Sequence, residues 1–254
     1  MKPVCLVIGA GAGIGGTVGK RFAREGYHAV LCRRSDEDGL NALVDDIKSE
    51  GHDASGFLMN AIVEDAIEDR VAAVEQDIGP IDIVIYNLGA QIGDQGLMDT
   101  PPKKFEMGWK LGTQGLYRTA RSVFPKMVER GRGTLLVTSS TAAMRGNAGQ
   151  HSHAAAMGGR RMLCQTLNAE FAPKGIHVAH IIVDGSVDAP DTLGKLLGPE
   201  RFKKLRDTVG AEDGLLLPEY VADTYWHLAN QHRSAWTFEI DLRPYSDTPW
   251  WNRA

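Results

Sequence analysis

The chain has 254 residues, with 28 Lys and Arg against 32 Asp and Glu, a formal charge of −4, and 43% hydrophobic residues. That is enough apolar material for one sizeable core, and a mildly acidic balance gives no electrostatic affinity for nucleic acid or an anionic membrane. No apolar run is long enough to span a bilayer and no charged leader precedes the first one. The three cysteines (Cys5, Cys32, Cys164) follow no metal spacing, so the expectation is a cytoplasmic protein with buried, reduced thiols and no metal.

Strand and helix signals alternate along the chain. Residues 4–8 are a short apolar run ending in glycines, which reads as a buried strand. Residues 14–25 have helical spacing (Val18, Phe22) and stop at Gly26. A second strand follows over 29–32, then a polar helix over about 36–50 closed by Gly51, and a weaker third strand over 55–59. Residues 63–77 place Val63, Ile67, Val71 and Val74 on one helical face. The continuous apolar run 81–86 is a central strand. The pair Pro101-Pro102 opens one long helix over roughly 103–130, and the fifth strand is 134–138. A helix rich in small residues covers about 151–171, and the sixth strand 176–183. Helical patterns return over 199–207 and 218–230, and the alternation over 236–242 makes a seventh strand.

Strands separated by helices imply right-handed βαβ units. The expected fold is α/β: a Rossmann-type, doubly wound parallel sheet of seven strands with helices on both faces, in a single domain over 1–254. The stretches 90–102 and 185–198 are poor in regular signals. Each follows the C-terminal end of a strand, where open α/β sheets bind ligands, so both are read as substrate loops, the second reaching to about 215.

Between the first strand and the first helix runs Gly9-Ala10-Gly11-Ala12-Gly13-Ile14-Gly15-Gly16. Glycine permits a tight turn with unusual dihedrals and close approach of a pyrophosphate, and the amides at the helix start face its charge. Two registers fit: Gly9, Gly13 and Gly15 as G-x-x-x-G-x-G, or Gly11, Gly13 and Gly16 as G-x-G-x-x-G. In this strand–turn–helix context the string predicts a dinucleotide site. At the end of the second strand an NAD-binding fold usually has an acid for the ribose hydroxyls. This chain has Arg33 and Arg34, which suit a 2′-phosphate and favour NADP, with NAD possible.

Here the chain resembles a short-chain dehydrogenase/reductase over nearly its whole length. The glycine register of that family is Gly9, Gly13 and Gly15, and the stretch Asn87-Leu88-Gly89-Ala90 resembles its N-A-G segment beside the cofactor. Asn60, followed by Ala61, falls where the family has an Asp next to the adenine. The resemblance implies the strand order 3-2-1-4-5-6-7, a small-molecule carbonyl or alcohol substrate, and a homodimer or homotetramer built on the two long helices or the seventh strand. The terminal aromatics Tyr245, Trp250 and Trp251 would suit such a contact, or packing on the last helix.

The family's usual chemistry uses a Ser, a Tyr thirteen residues later and a Lys four beyond that, with an Asn in the preceding long helix. Counting from Glu170 puts Ser140 at the Ser position, His153 at the Tyr position and Met157 at the Lys position; Gly112 takes the place of the Asn. No Tyr lies between Tyr117 and Tyr220, so no small slip restores the motif. Two readings follow. In one, His153 replaces Tyr as general acid/base. An imidazole with an ordinary pKa near 6.5 needs no neighbouring cation to work at neutral pH, and Lys at 157 would depress it. Ser140 then polarises a substrate oxygen, and Met157 packs against the nicotinamide. In the other, the protein is a non-catalytic dinucleotide-binding sensor or subunit. His151 is expected at the surface where the helix starts, Arg145 as a solvated side chain in a loop near the pocket, and one of Arg160 and Arg161 against solvent or a neighbouring subunit.

Overall fold

The computed structural model describes residues 2–89 and 95–252. Among the described residues one sheet of 7 strands runs in the order β3-β2-β1-β4-β5-β6-β7, all pairs parallel, as the resemblance implies. The strands are β1 (Val4–Ile8), β2 (His28–Arg33), β3 (Ala54–Leu58), β4 (Ile81–Tyr86), β5 (Gly133–Ser140), β6 (Ile176–Val183) and β7 (Glu239–Leu242). The helices are α1 (Ile14–Arg24), α2 (Glu37–Ser49), α3 (Ala66–Asp77), α4 (Pro102–Trp109), α5 (Gly115–Arg130), α6 (His151–Phe171), α7 (Lys195–Leu197), α8 (Pro199–Thr208) and α9 (Pro218–Ala229).

The largely apolar central strands follow from burial on both faces. In β1, Val4, Leu6 and Ile8 point into one core with Val71, Val123 and Leu167 from α3, α5 and α6. Cys5 and Val7 point into the other, with Phe22, Leu40 and Tyr225 from α1, α2 and α9. The three cysteines are buried. Burial pushes the Cys32 and Cys164 thiols up to about 12, and Cys5 upward as well, so none offers a thiolate.

Four expectations are revised. Helix α3 starts at Ala66 rather than 63, because Val63 N–H turns back to the carbonyl of Asn60 and Asp65 sits at φ 58°. The long helix over 103–130 is divided by a π-helical turn, Lys110–Gln114. Strand β7 begins only at Glu239, since Trp236 and Thr237 bond to Gln231 instead of the ladder. The loop after β6 is partly helical, with a π turn over Pro190–Gly194 followed by α7. Of the first substrate loop, 90–94 lie outside the described residues. No described helix is long and apolar enough to cross a membrane.

Candidate active site

A cleft of about 340 Å³ opens at the C-terminal ends of β1, β4 and β5. It joins Gly9, Gly11, Gly13, Ile14 and Gly15 to Asn87 and Gly89, and these to Ser140, His153 and Met157. Arg33, Arg34, Asn60 and Ala61 stand outside it, at the ends of β2 and β3.

The glycines of the turn divide into two kinds. Gly9 has φ 102°, and a Cβ there would meet the Asn87 carbonyl oxygen at 2.8 Å. A Cβ on Gly15 would collide with the Gly9 carbonyl oxygen and lie 2.8 Å from Asn87 Nδ2. Asn87 Nδ2 donates to that same Gly9 carbonyl at 2.9 Å. Gly9 and Gly15 are thus needed for the turn to seat against β4. A Cβ on Gly13 would crowd Ala189 Cβ at 2.9 Å, whereas one on Gly11 meets nothing within 4 Å. That open side lies at the N-terminus of α1, where the amides of the first turn lack helical acceptors and carry partial positive charge. A glycine cradle open to the cleft, beside a helix start, fits the pyrophosphate of a dinucleotide.

On the opposite side, Ser140 ends β5 and His153 lies in the first turn of α6. Their Oγ and Nε2 atoms share a hydrogen bond of 3.0 Å, whose donor depends on the imidazole tautomer. Both side chains are half-buried. The start of α6 is fixed by Ser152, whose hydroxyl donates to the Phe105 carbonyl of α4 at 3.1 Å. Met157, one turn on, is 2% exposed and packs with Ala142 and Ala156; the Ser139 hydroxyl rests on its sulfur. No positive charge stands at position 157. His151 is the first residue of α6 and half-buried rather than fully at the surface.

The cation of this region is one that the sequence did not reveal. Arg160 is 1% exposed and lines the cleft floor. Its Nε donates to the Gly112 carbonyl at 2.7 Å, Nη2 to Leu88 at 2.7 Å, and Nη1 to Thr138. It ties the π turn to the ends of β4 and β5. Burial pulls its pKa below the usual guanidinium range. Arg161 is the member of the pair at the more open face, held by both oxygens of Glu239. The signal for Arg160 was its phase: Met157, Arg160, Cys164 and Leu167 form the buried stripe of α6.

At the other end, Arg33 is not a bare cation. Its Nη2 lies 2.7 Å from Asp36 and 2.7 Å from Asp191. Arg34 is exposed. Asn60 turns its Oδ1 toward the Ile62 amide at 3.4 Å. Trp250 donates its main-chain N–H to Asp184 and its indole N–H to Asp241 at the ends of β6 and β7, while Tyr245 and Trp251 remain exposed.

A sequence model of the short chain dehydrogenase family matches residues 3–192. The chain belongs to that family. It is 31% identical over 227 residues to the short-chain reductase protein NovJ of Streptomyces niveus, covering 88% of this chain and 85% of that one. A short-chain dehydrogenase from Rhodopseudomonas palustris has a similar structure, with 30% identity, a TM-score of 0.80, and coverage of 96% and 99%. A metagenomic short-chain oxidoreductase solved in complex with NADP shares the fold at 23% identity and a TM-score of 0.79, with coverage of 96% and 97%.

Proposed function

We propose that the protein is an NADP(H)-dependent oxidoreductase that interconverts a small carbonyl compound and its alcohol. The observation that carries this reading is the 3.0 Å contact between Ser140 Oγ and His153 Nε2, in the same cleft as the open glycine cradle.

In reduction, protonated His153 gives a proton to the substrate oxygen and the Ser140 hydroxyl holds that oxygen by a hydrogen bond; in oxidation neutral His153 takes the proton back. An imidazole can serve as acid and base without a neighbouring lysine, which suits a chamber with Met at position 157. Gly11, Gly13 and the first-turn amides of α1 would hold the pyrophosphate, Asn60 and Ala61 the adenine, Arg33 and Arg34 the 2′-phosphate, and Met157 the nicotinamide face. When bound, the nicotinamide supplies or accepts the hydride. The NADP-bound metagenomic relative supports the phosphorylated cofactor.

The test is NADPH consumption by the purified protein against a panel of ketones, diketones and aldehydes, alongside fluorescence titration with NADPH. Turnover of at least one carbonyl is expected. Tight binding with no turnover across the panel would establish the non-catalytic reading instead.

A further inference from the structure

The segment after β6 passes over the glycine turn and reaches the end of β2. Its base is pinned: Val187 bridges to Leu216, Asp188 N–H donates to the Leu216 carbonyl, and Leu216 N–H to Ser186. Ala189 is 2% exposed and rests against Gly13. Beyond it, Asp191 Oδ2 accepts from Arg33 Nη2 at 2.7 Å, across 158 residues of sequence. Lys195 Nζ lies 3.4 Å from the other Asp191 oxygen and 4.0 Å from Asp36. Arg33 and Asp191 are both largely buried, with side chains 14% and 25% exposed. Burial works against an ionised Asp191, but the Arg33 and Lys195 bonds outweigh it and hold the carboxyl below its usual range.

The substrate-side strap therefore ends on the guanidinium read above as part of the 2′-phosphate site. Arg33 and Lys195 already face the carboxylates of Asp36 and Asp191, and a phosphate reaching Arg33 meets like charge on both. We propose that Asp191 selects the cofactor: its carboxylate and a 2′-phosphate compete for Arg33, so the phosphorylated dinucleotide loosens the 189–197 strap and the unphosphorylated one leaves it latched. This rests on the dinucleotide reading of the cleft. Asp191 acts through Arg33 and is a positioning residue, not a catalytic one. The strap also carries Thr192 into the cleft, so the latch couples the adenosine end of the site to the chamber wall.

The experiment has two readouts that do not depend on turnover. Fluorescence titration gives Kd for NADPH and NADH with native protein, Asp191→Asn and Asp191→Glu. Asp191→Asn is expected to tighten NADPH by about five- to tenfold and to change NADH by less than about twofold, and Asp191→Glu to restore the native ratio. Hydrogen exchange of peptides spanning 189–197 in native protein is expected to be faster with NADPH than with NADH, and the difference to vanish in Asp191→Asn. An unchanged NADPH-to-NADH ratio in Asp191→Asn, or equal exchange with the two cofactors in native protein, overturns the latch while leaving the dinucleotide reading intact. Failure of native protein to bind either dinucleotide overturns both.

Discussion

The Nε atom of Arg160 donates to the carbonyl of Gly112 at 2.7 Å, from a side chain that solvent scarcely reaches. The guanidinium holds three main-chain carbonyls from three elements, and a buried acceptor that loses its donor costs about 1–3 kcal/mol. Arg160→Ala removes all three donors and leaves a cavity, so a loss of about 3–5 kcal/mol is expected in urea unfolding. A loss below about 1 kcal/mol would mean that the carbonyls find water instead.

The two kinds of glycine in the turn should separate under substitution. Gly15→Ala forces a Cβ onto the Gly9 carbonyl and the Asn87 amide. It is expected to lower Tm by about 5 °C or more in a thermal melt without ligand. Gly11→Ala adds a methyl to open space. Its Tm should stay within about 1 °C of native while NADPH affinity falls about tenfold or more. Equal effects of the two on Tm would contradict the division.

Much of this fold was legible because the relevant forces are local. The runs at β1, β4 and β6 are mostly apolar, broken by Asp82, His177 and His180, since helices cover both faces of the sheet, and their bounds are those read from the sequence. Helix α6 also has the expected bounds. The failures have non-local causes. The π turn at Lys110–Gln114 presents Leu111 and Gly112 carbonyls that are taken by Tyr86 and Arg160, partners far away in sequence. Trp236 stacks on His177 with ring centroids 4.9 Å apart, which pulls it out of the seventh strand's alternation. In the site, glycines and the Ser140–His153 spacing can be read from position alone, whereas the Asp191 partner of Arg33 needs the tertiary structure.

Acid sensitivity follows from His180 in β6. Burial lowers its pKa from 6.5 to about 4, against the opposing pull of Glu239. In the unfolded chain the imidazole returns to about 6.5. The unfolded state therefore binds more protons between these values, and stability present above pH 6.5 is lost as the pH falls toward 4. Between pH 7 and pH 5 this one residue should cost about 2 kcal/mol. Urea midpoints of native protein and His180→Asn at the two pH values check it. The variant should lose clearly less on acidification; a parallel loss would assign the acid limb to other groups.

Cofactor choice should depend on Arg33 in one direction. Arg33→Ala removes the guanidinium from Asp36 and Asp191 and leaves them Lys195. NADPH is expected to weaken by about tenfold or more, and NADH by far less, in paired fluorescence titrations. Equal weakening would show that Arg33 does not meet the 2′-phosphate.

The central claim is that His153, paired with Ser140, moves the proton. Its most direct test is the rate of NADPH-dependent carbonyl reduction by native protein and by His153→Ala at saturating cofactor, with Kd for NADPH measured on both. The account predicts a fall in kcat of about 100-fold or more with NADPH affinity nearly unchanged. Equal turnover by the two proteins would contradict it.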